Sequence, residues 1–98
     1  MSKYYFTICG MDHYFSSDIL EKGMVVKLIK DTDNEYDSEA IRIELEGLGK
    51  IGYVANSVST VIGESISAGR LYDKFGDTAE GIVLHILRGA AVCSIEVL

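Results

Sequence analysis

The sequence predicts a mainly β domain: a small, strongly curved sheet or barrel of about six strands, carrying one or two helices. Three observations point there. Apolar and polar residues alternate at period two in six separate segments, the signature of half-buried strands. Only one stretch has an apolar stripe at helical spacing. The 98-residue chain has no proline and no low-complexity or repeated tract, so nothing divides it, and residues 1–98 read as one domain.

In chain order, Tyr4, Phe6 and Ile8 share one face of a first strand, with Tyr5, Thr7 and Cys9 on the other. Gly10 breaks it, and Met11 to Gly23 reads as a connection with a short helical turn around Ser17 to Lys22. In the second strand, Met24 to Lys30, Met24, Val26 and Leu28 alternate with Val25, Lys27 and Ile29. The third, Ala40 to Leu45, turns Ile41, Ile43 and Leu45 inward and Arg42 and Glu44 outward. Glu46-Gly47-Leu48-Gly49 is a hairpin turn, since glycine tolerates the positive φ of tight turns, and Lys50 to Val54 returns as the fourth strand. Val58, Val61, Ile62 and Ile66 then form the helical stripe, with Asn56 or Ser57 as cap and Gly69 as terminator. Leu71 to Thr78 reads as a loop or a short second helix, before strands at Ile82 to Leu87 and Ala91 to Val97 joined at Arg88-Gly89. Ile41, Ile43, Val61, Ile62 and Ile66 are therefore the expected core shared by sheet and helix.

Charge narrows the function. Nine Lys and Arg against fifteen Asp and Glu give a net charge of −6. A protein that coats duplex DNA by neutralising many phosphates carries the opposite sign, whereas a small site that grips a few nucleotides is compatible. No apolar run reaches the roughly 18–20 residues of a membrane span, and Met1-Ser2-Lys3-Tyr4-Tyr5 does not open a signal peptide, so a cytoplasmic location without membrane contact is expected. Cys9 and Cys93 lack CxxC spacing and lie in apolar strand patterns, which implies buried, reduced and unreactive thiols. P-loop, GxGxxG and HExxH motifs are absent, and neither His13 nor His85 belongs to a recognisable catalytic arrangement. These residues give no expectation of enzymatic activity, metal or cofactor.

The most polar stretch is Asp31-Thr32-Asp33-Asn34-Glu35-Tyr36-Asp37-Ser38-Glu39. As a calcium loop it fails: counted from Asp31, the glycine and bidentate glutamate positions hold Tyr36 and Arg42. The plain alternative is a solvated loop closed by side-chain turns at Asn34 and Asp37. Tyr36, however, is a large aromatic in mid-loop, and His13-Tyr14-Phe15 is a second aromatic cluster beyond the first strand. Such aromatics suit base stacking, worth roughly 1–3 kcal/mol per base without much positive charge. Packing beneath the connection would explain His13 and Tyr14 equally well.

The combination Asp31-x-x-Asn34-x-Tyr36-Asp37-x-x-Ala40-Ile41-Arg42-Ile43, a turn, then Lys50-Ile51-Gly52-Tyr53-Val54 resembles the HIRAN domain, as does Gly10-Met11-Asp12-His13-Tyr14 before it. The resemblance runs from about Phe6 to the last strand. It implies a small six-stranded OB-like or SH3-like β-barrel and a module that binds single-stranded DNA at a free 3′ end, in a family that accompanies helicase-like and DNA-repair proteins. By the same resemblance Tyr36 stacks on the terminal base, Asp37 accepts from the 3′-hydroxyl and Asn34 contacts the backbone. His13 and Tyr14 line the other side of the pocket, and Tyr53 and Asn56 hold phosphates. Asp12, Glu35, Glu39 and Asn56 stand where the family pattern has a basic residue, Pro, Asn and Lys, so the expected binding is weak and carried by stacking. The alternative is a protein-interaction or regulatory module that keeps the fold without end binding.

Overall fold

Every alternating segment becomes a strand, and each strand pairs antiparallel with two neighbours. The computed structural model describes residues 2–15, 17–57 and 60–97. Its strands are β1 (Ser2–Cys9), β2 (Val25–Lys30), β3 (Ile41–Leu45), β4 (Gly49–Val54), β5 (Thr78–Leu87) and β6 (Ala90–Val97). They form a closed barrel in the order β1-β4-β3-β2-β5-β6. A meander of β2, β3 and β4 and a hairpin of β5 and β6 are thus joined through β1, and closure removes the sheet edges. Inward residues such as Phe6, Ile8, Val26, Leu28, Ile41 and Ile43 are fully buried, each contributing about 1.5–3 kcal/mol of transfer free energy. The β3–β4 turn does need its glycine, with Gly47 at φ 89°.

Closure is uneven. Against β6, β1 pairs from Ser2↔Val97 to Ile8↔Ala91, but against β4 only at Ile8↔Val54 and Cys9↔Tyr53. Past that point Ala55, Ile62 and Ile66 take over from β4 as partners of β1. Ala55 N donates to the Thr7 carbonyl at 2.8 Å, Ile62 N to Thr7 Oγ1 at 3.1 Å, and Ile66 N to the Tyr5 carbonyl at 2.8 Å. Alternation points Thr7 outward, yet it is fully buried beneath its partners Ala55 and Ile62.

The helix differs from expectation. Of the proposed stripe, Val58 lies outside the described residues. Around Val61 and Ile62 the chain makes turns, and Gly63 adopts φ 61°, which a right-handed helix cannot propagate. Val61 and Ile62 are half-buried rather than core, while Ile66 packs against the core from its edge. The backbone donors of Ile62 and Ile66 go to β1, and that pairing wins over the helical period. The α-helix is α1 (Ala68–Tyr72), so Gly69 lies within it rather than ending it. Ser67 caps it, its side chain accepting from Arg70 N at 3.3 Å. Ala68 and Leu71 are the buried positions of this short plug. Two 3-10 turns, Met11–His13 and Ser17–Ile19, occupy the first connection. Among the described residues no helix is long and apolar enough to cross a membrane.

Candidate functional site

The polar loop between β2 and β3 is folded by its own side chains. Asp31 N donates to the Ala40 carbonyl at 2.8 Å and closes the base. Asn34 Oδ1 then accepts from both Tyr36 N and Asp37 N at 2.9 Å. Asp37 Oδ1 accepts from Glu39 N at 2.9 Å, and its Oδ2 accepts from Asn56 Nδ2 at 3.2 Å. Asn56 Oδ1 in turn accepts from Gly69 N at 2.8 Å, which ties the loop to α1. The spacing Asn34-x-Tyr36-Asp37 therefore has a local cause. Two short polar side chains satisfy the amides that a tight loop orphans, and the tyrosine between them points away. Tyr36 is 94% exposed.

An open cleft of about 450 Å³ lies beside this loop, lined by Asn34, Tyr36, Asp37, Tyr53 and Asn56 together with Cys9, Ala40, Val54, Ser57 and Thr60. Five of the seven expected site residues thus meet on one surface. Tyr53 reaches it because the β1–β4 closure pairs it with Cys9, while Arg42 flanks it on β3. Its hydroxyl donates to Asp31 Oδ2 at 3.1 Å and accepts from Lys50 Nζ at 3.1 Å. Gly52, one residue earlier, lets β1 come this close: a Cβ there would lie 2.6 Å from the Cys9 carbonyl oxygen. The glycine of the Lys50-Ile51-Gly52-Tyr53-Val54 segment is thus a packing requirement.

His13 and Tyr14 do not line the cleft. His13 is exposed on the first 3-10 turn. Tyr14, 41% exposed, joins the site indirectly, because Lys50 Nζ lies 5.1 Å from its ring centroid and 5.0 Å from that of Tyr53. The acidic residues divide. Asp12 is turned toward the β5–β6 turn, where a Cβ on Gly89 would lie 2.8 Å from its Oδ2, so its charge does not face the cleft. The Glu39 carboxylate lies against Gly69, and Glu35 is exposed on the loop.

Lys50 and Cys9 are neighbours of the site whose positions there the sequence did not reveal. Contacts with the Tyr53 and then the Tyr14 hydroxyl hold the Lys50 ammonium above the usual lysine range. Cys9 faces outward from β1, as its alternation implied, and is only partly buried, which corrects the expectation of two buried thiols. Burial still pushes its pKa up, and that of the fully buried Cys93 to about 12. Both thiols are free, and among the described residues no cluster of His, Cys, Asp and Glu could hold a metal ion. Two aromatic faces, a carboxylate, an amide and a fixed cation suit a ligand with a flat ring, a hydroxyl donor and an anionic group.

The comparisons with known proteins agree with this architecture. The chain resembles the crystal structure of the HIRAN domain of human HLTF, with a TM-score of 0.63, 16% identity, and coverage of 96% of this chain and 74% of that one. It also resembles the crystal structure of a Lactobacillus plantarum protein, with a TM-score of 0.58, 20% identity, and coverage of 97% and 98%. No curated protein matches in sequence. The HIRAN domain, known in general as a nucleic-acid-binding module that is not catalytic on its own, matches residues 1–88, and the chain belongs to the HIRAN family.

Proposed function

We propose that the cleft binds the free 3′ end of a single-stranded nucleic acid. The observation that carries this is Tyr36. A ring 94% exposed, on a loop whose backbone is pinned by Asn34 and Asp37, is a stacking platform held ready at little entropic cost. The Asp37 oxygens have each spent one acceptor site on Glu39 N and Asn56 Nδ2. A carboxylate offers about four, so capacity remains for a 3′-hydroxyl. A 3′-phosphate would instead bring negative charge against that carboxylate, so an end is preferred to a continuing strand by repulsion as well as attraction. In this reading Asn34 offers its free amide nitrogen, its oxygen being committed to the loop. Tyr53 and Asn56 flank the terminal sugar-phosphate.

Binding is weak, because a −6 chain repels phosphates and most of the affinity must come from stacking. Partner helicase-like or repair proteins belong to this proposal as the setting in which such a module would act. Fluorescence anisotropy at low salt with matched single-stranded oligonucleotides ending in 3′-hydroxyl or 3′-phosphate tests it. The hydroxyl strand should bind several-fold more tightly. Failure of both strands to bind would leave the protein-interaction reading in its place.

A further inference from the structure

The cations beside β3 and β4 are not equivalent. Arg42 is committed to Glu44 at 2.8 Å, with Asp31 at 3.7 Å. Lys30 donates to the Phe75 carbonyl at 2.7 Å and lies over the Tyr72 and Phe75 rings. Lys50 makes no ion pair among the described residues. Its ammonium is nonetheless fixed, bonded to Tyr53 Oη at 3.1 Å and flanked by the rings of Tyr14 and Tyr53. Tyr53 belongs to both surroundings, since it also lines the cleft. A positioned positive charge with no direct ion pair, linked to Asp31 only through the Tyr53 hydroxyl, therefore stands one tyrosine away from the pocket, with the exposed Tyr14 ring beyond it.

We infer that Lys50 is a phosphate-binding position that takes the linkage between the terminal nucleotide and the one before it, while Tyr14 offers its ring to that preceding base. This rests on the reading of the cleft as a 3′-end site and adds its direction: the strand leaves past Tyr53 toward Tyr14, not past Asn56 toward Arg70. Phosphate is the chemistry that fits, because an ammonium already held in place by two aromatic rings loses little freedom on meeting an anion. In a protein of net charge −6, one such cation sets most of the salt dependence.

The test is anisotropy with a short 3′-hydroxyl oligothymidylate, compared with the same strand carrying one uncharged methylphosphonate at its last linkage. Wild-type protein should bind the methylphosphonate strand about tenfold more weakly. Lys50→Met should weaken binding of the normal strand by a similar factor, abolish the difference between strands, and reduce the logarithmic salt slope by about 0.7. Lys50→Arg should retain the difference, and so should Arg70→Met. Equal binding of both strands by wild-type protein would overturn the inference while leaving the end-binding reading intact, and that comparison needs no variant to fold. A Lys50→Met protein with a wild-type melting curve that still discriminates would do the same. If no strand binds the wild type, the end-binding reading falls and this inference with it.

Discussion

Gly52→Ala is the substitution for which the structure gives the sharpest expectation. A Cβ at this position would lie 2.6 Å from the Cys9 carbonyl oxygen, 3.0 Å from Ile8 Cγ2 and 3.4 Å from Met11 Cγ. Ordinary carbon contacts begin near 3.5 Å, so β1 and β4 must separate by about 0.9 Å to admit one methyl group. The first obstacle is backbone, which cannot swing aside as a side-chain tip can. The two strands pair only at Ile8↔Val54 and Cys9↔Tyr53, so the displacement falls on the whole of their direct register. Overpacking typically costs about 1–3 kcal/mol, and the upper part of that range applies when backbone bonds are stretched. At about 4–8 °C per kcal/mol for a domain of this size, Gly52→Ala should lower the melting temperature by about 10–20 °C. Thermal unfolding followed by circular dichroism at neutral pH reads this directly. A melting temperature within about 2 °C of wild type would refute the claim that this glycine sets the β1–β4 spacing.

Tyr36→Ala should leave the melting temperature unchanged, because its ring is almost fully exposed, yet weaken oligonucleotide binding by about 1–3 kcal/mol in a titration. Asp37→Asn should destabilise the protein by about 1 kcal/mol in denaturant titration, because its two oxygens accept from Glu39 N and Asn56 Nδ2 and an amide can satisfy only one of those donors. The same variant should lose the preference for 3′-hydroxyl over 3′-phosphate in anisotropy. Cys9, partly buried in the cleft wall, should react slowly with a thiol reagent at pH 8 and be protected by a bound oligonucleotide, whereas Cys93 should react only on unfolding. Burial raises the Cys93 pKa from 9.0 to about 12, so above pH 9 the unfolded chain loses a proton that the native chain retains. Stability should be undiminished by this group below pH 9 and fall as pH rises toward 12, with Cys9 acting in the same direction. Melting temperatures of wild type and Cys93→Ala between pH 8 and 11 should show the smaller alkaline loss in the variant.

The barrel was legible because each strand carries its own period: Ile41 and Ile43 alternate with Arg42 and Glu44, and they are buried as that pattern requires. The helix was misread for a physical reason. Val61, Ile62 and Ile66 do have helical spacing, but the sequence does not reveal that β1 is left with unpaired carbonyls at Tyr5 and Thr7. Those groups claim the amides of Ala55 and Ile66, and the Thr7 hydroxyl claims that of Ile62. The five cleft residues were named through the resemblance of Asn34-x-Tyr36-Asp37 and Lys50-Ile51-Gly52-Tyr53-Val54 to the HIRAN pattern, and the fold brings these two segments to one cleft. His13 was placed with them by the resemblance of Gly10-Met11-Asp12-His13-Tyr14 to the same pattern, but the 3-10 turn leaves it outside the lining. The place of Lys50 beside the site was not legible, because it depends on two rings, Tyr14 and Tyr53, brought together from separate elements. The harmless orientation of Asp12 depends likewise on the β5–β6 turn, far away in sequence.

The most direct measurement of the central claim is a titration of isotopically labelled protein with a short 3′-hydroxyl single strand, followed amide by amide in two-dimensional NMR spectra. Saturable shifts should concentrate at Asn34 to Asp37 and at Tyr53 to Ser57, and extend to Tyr14 and Lys50. The far wall of the barrel, at Val25 and Ile82, should stay still. Shifts confined to that far wall, or no saturable shift at low salt, would contradict the account.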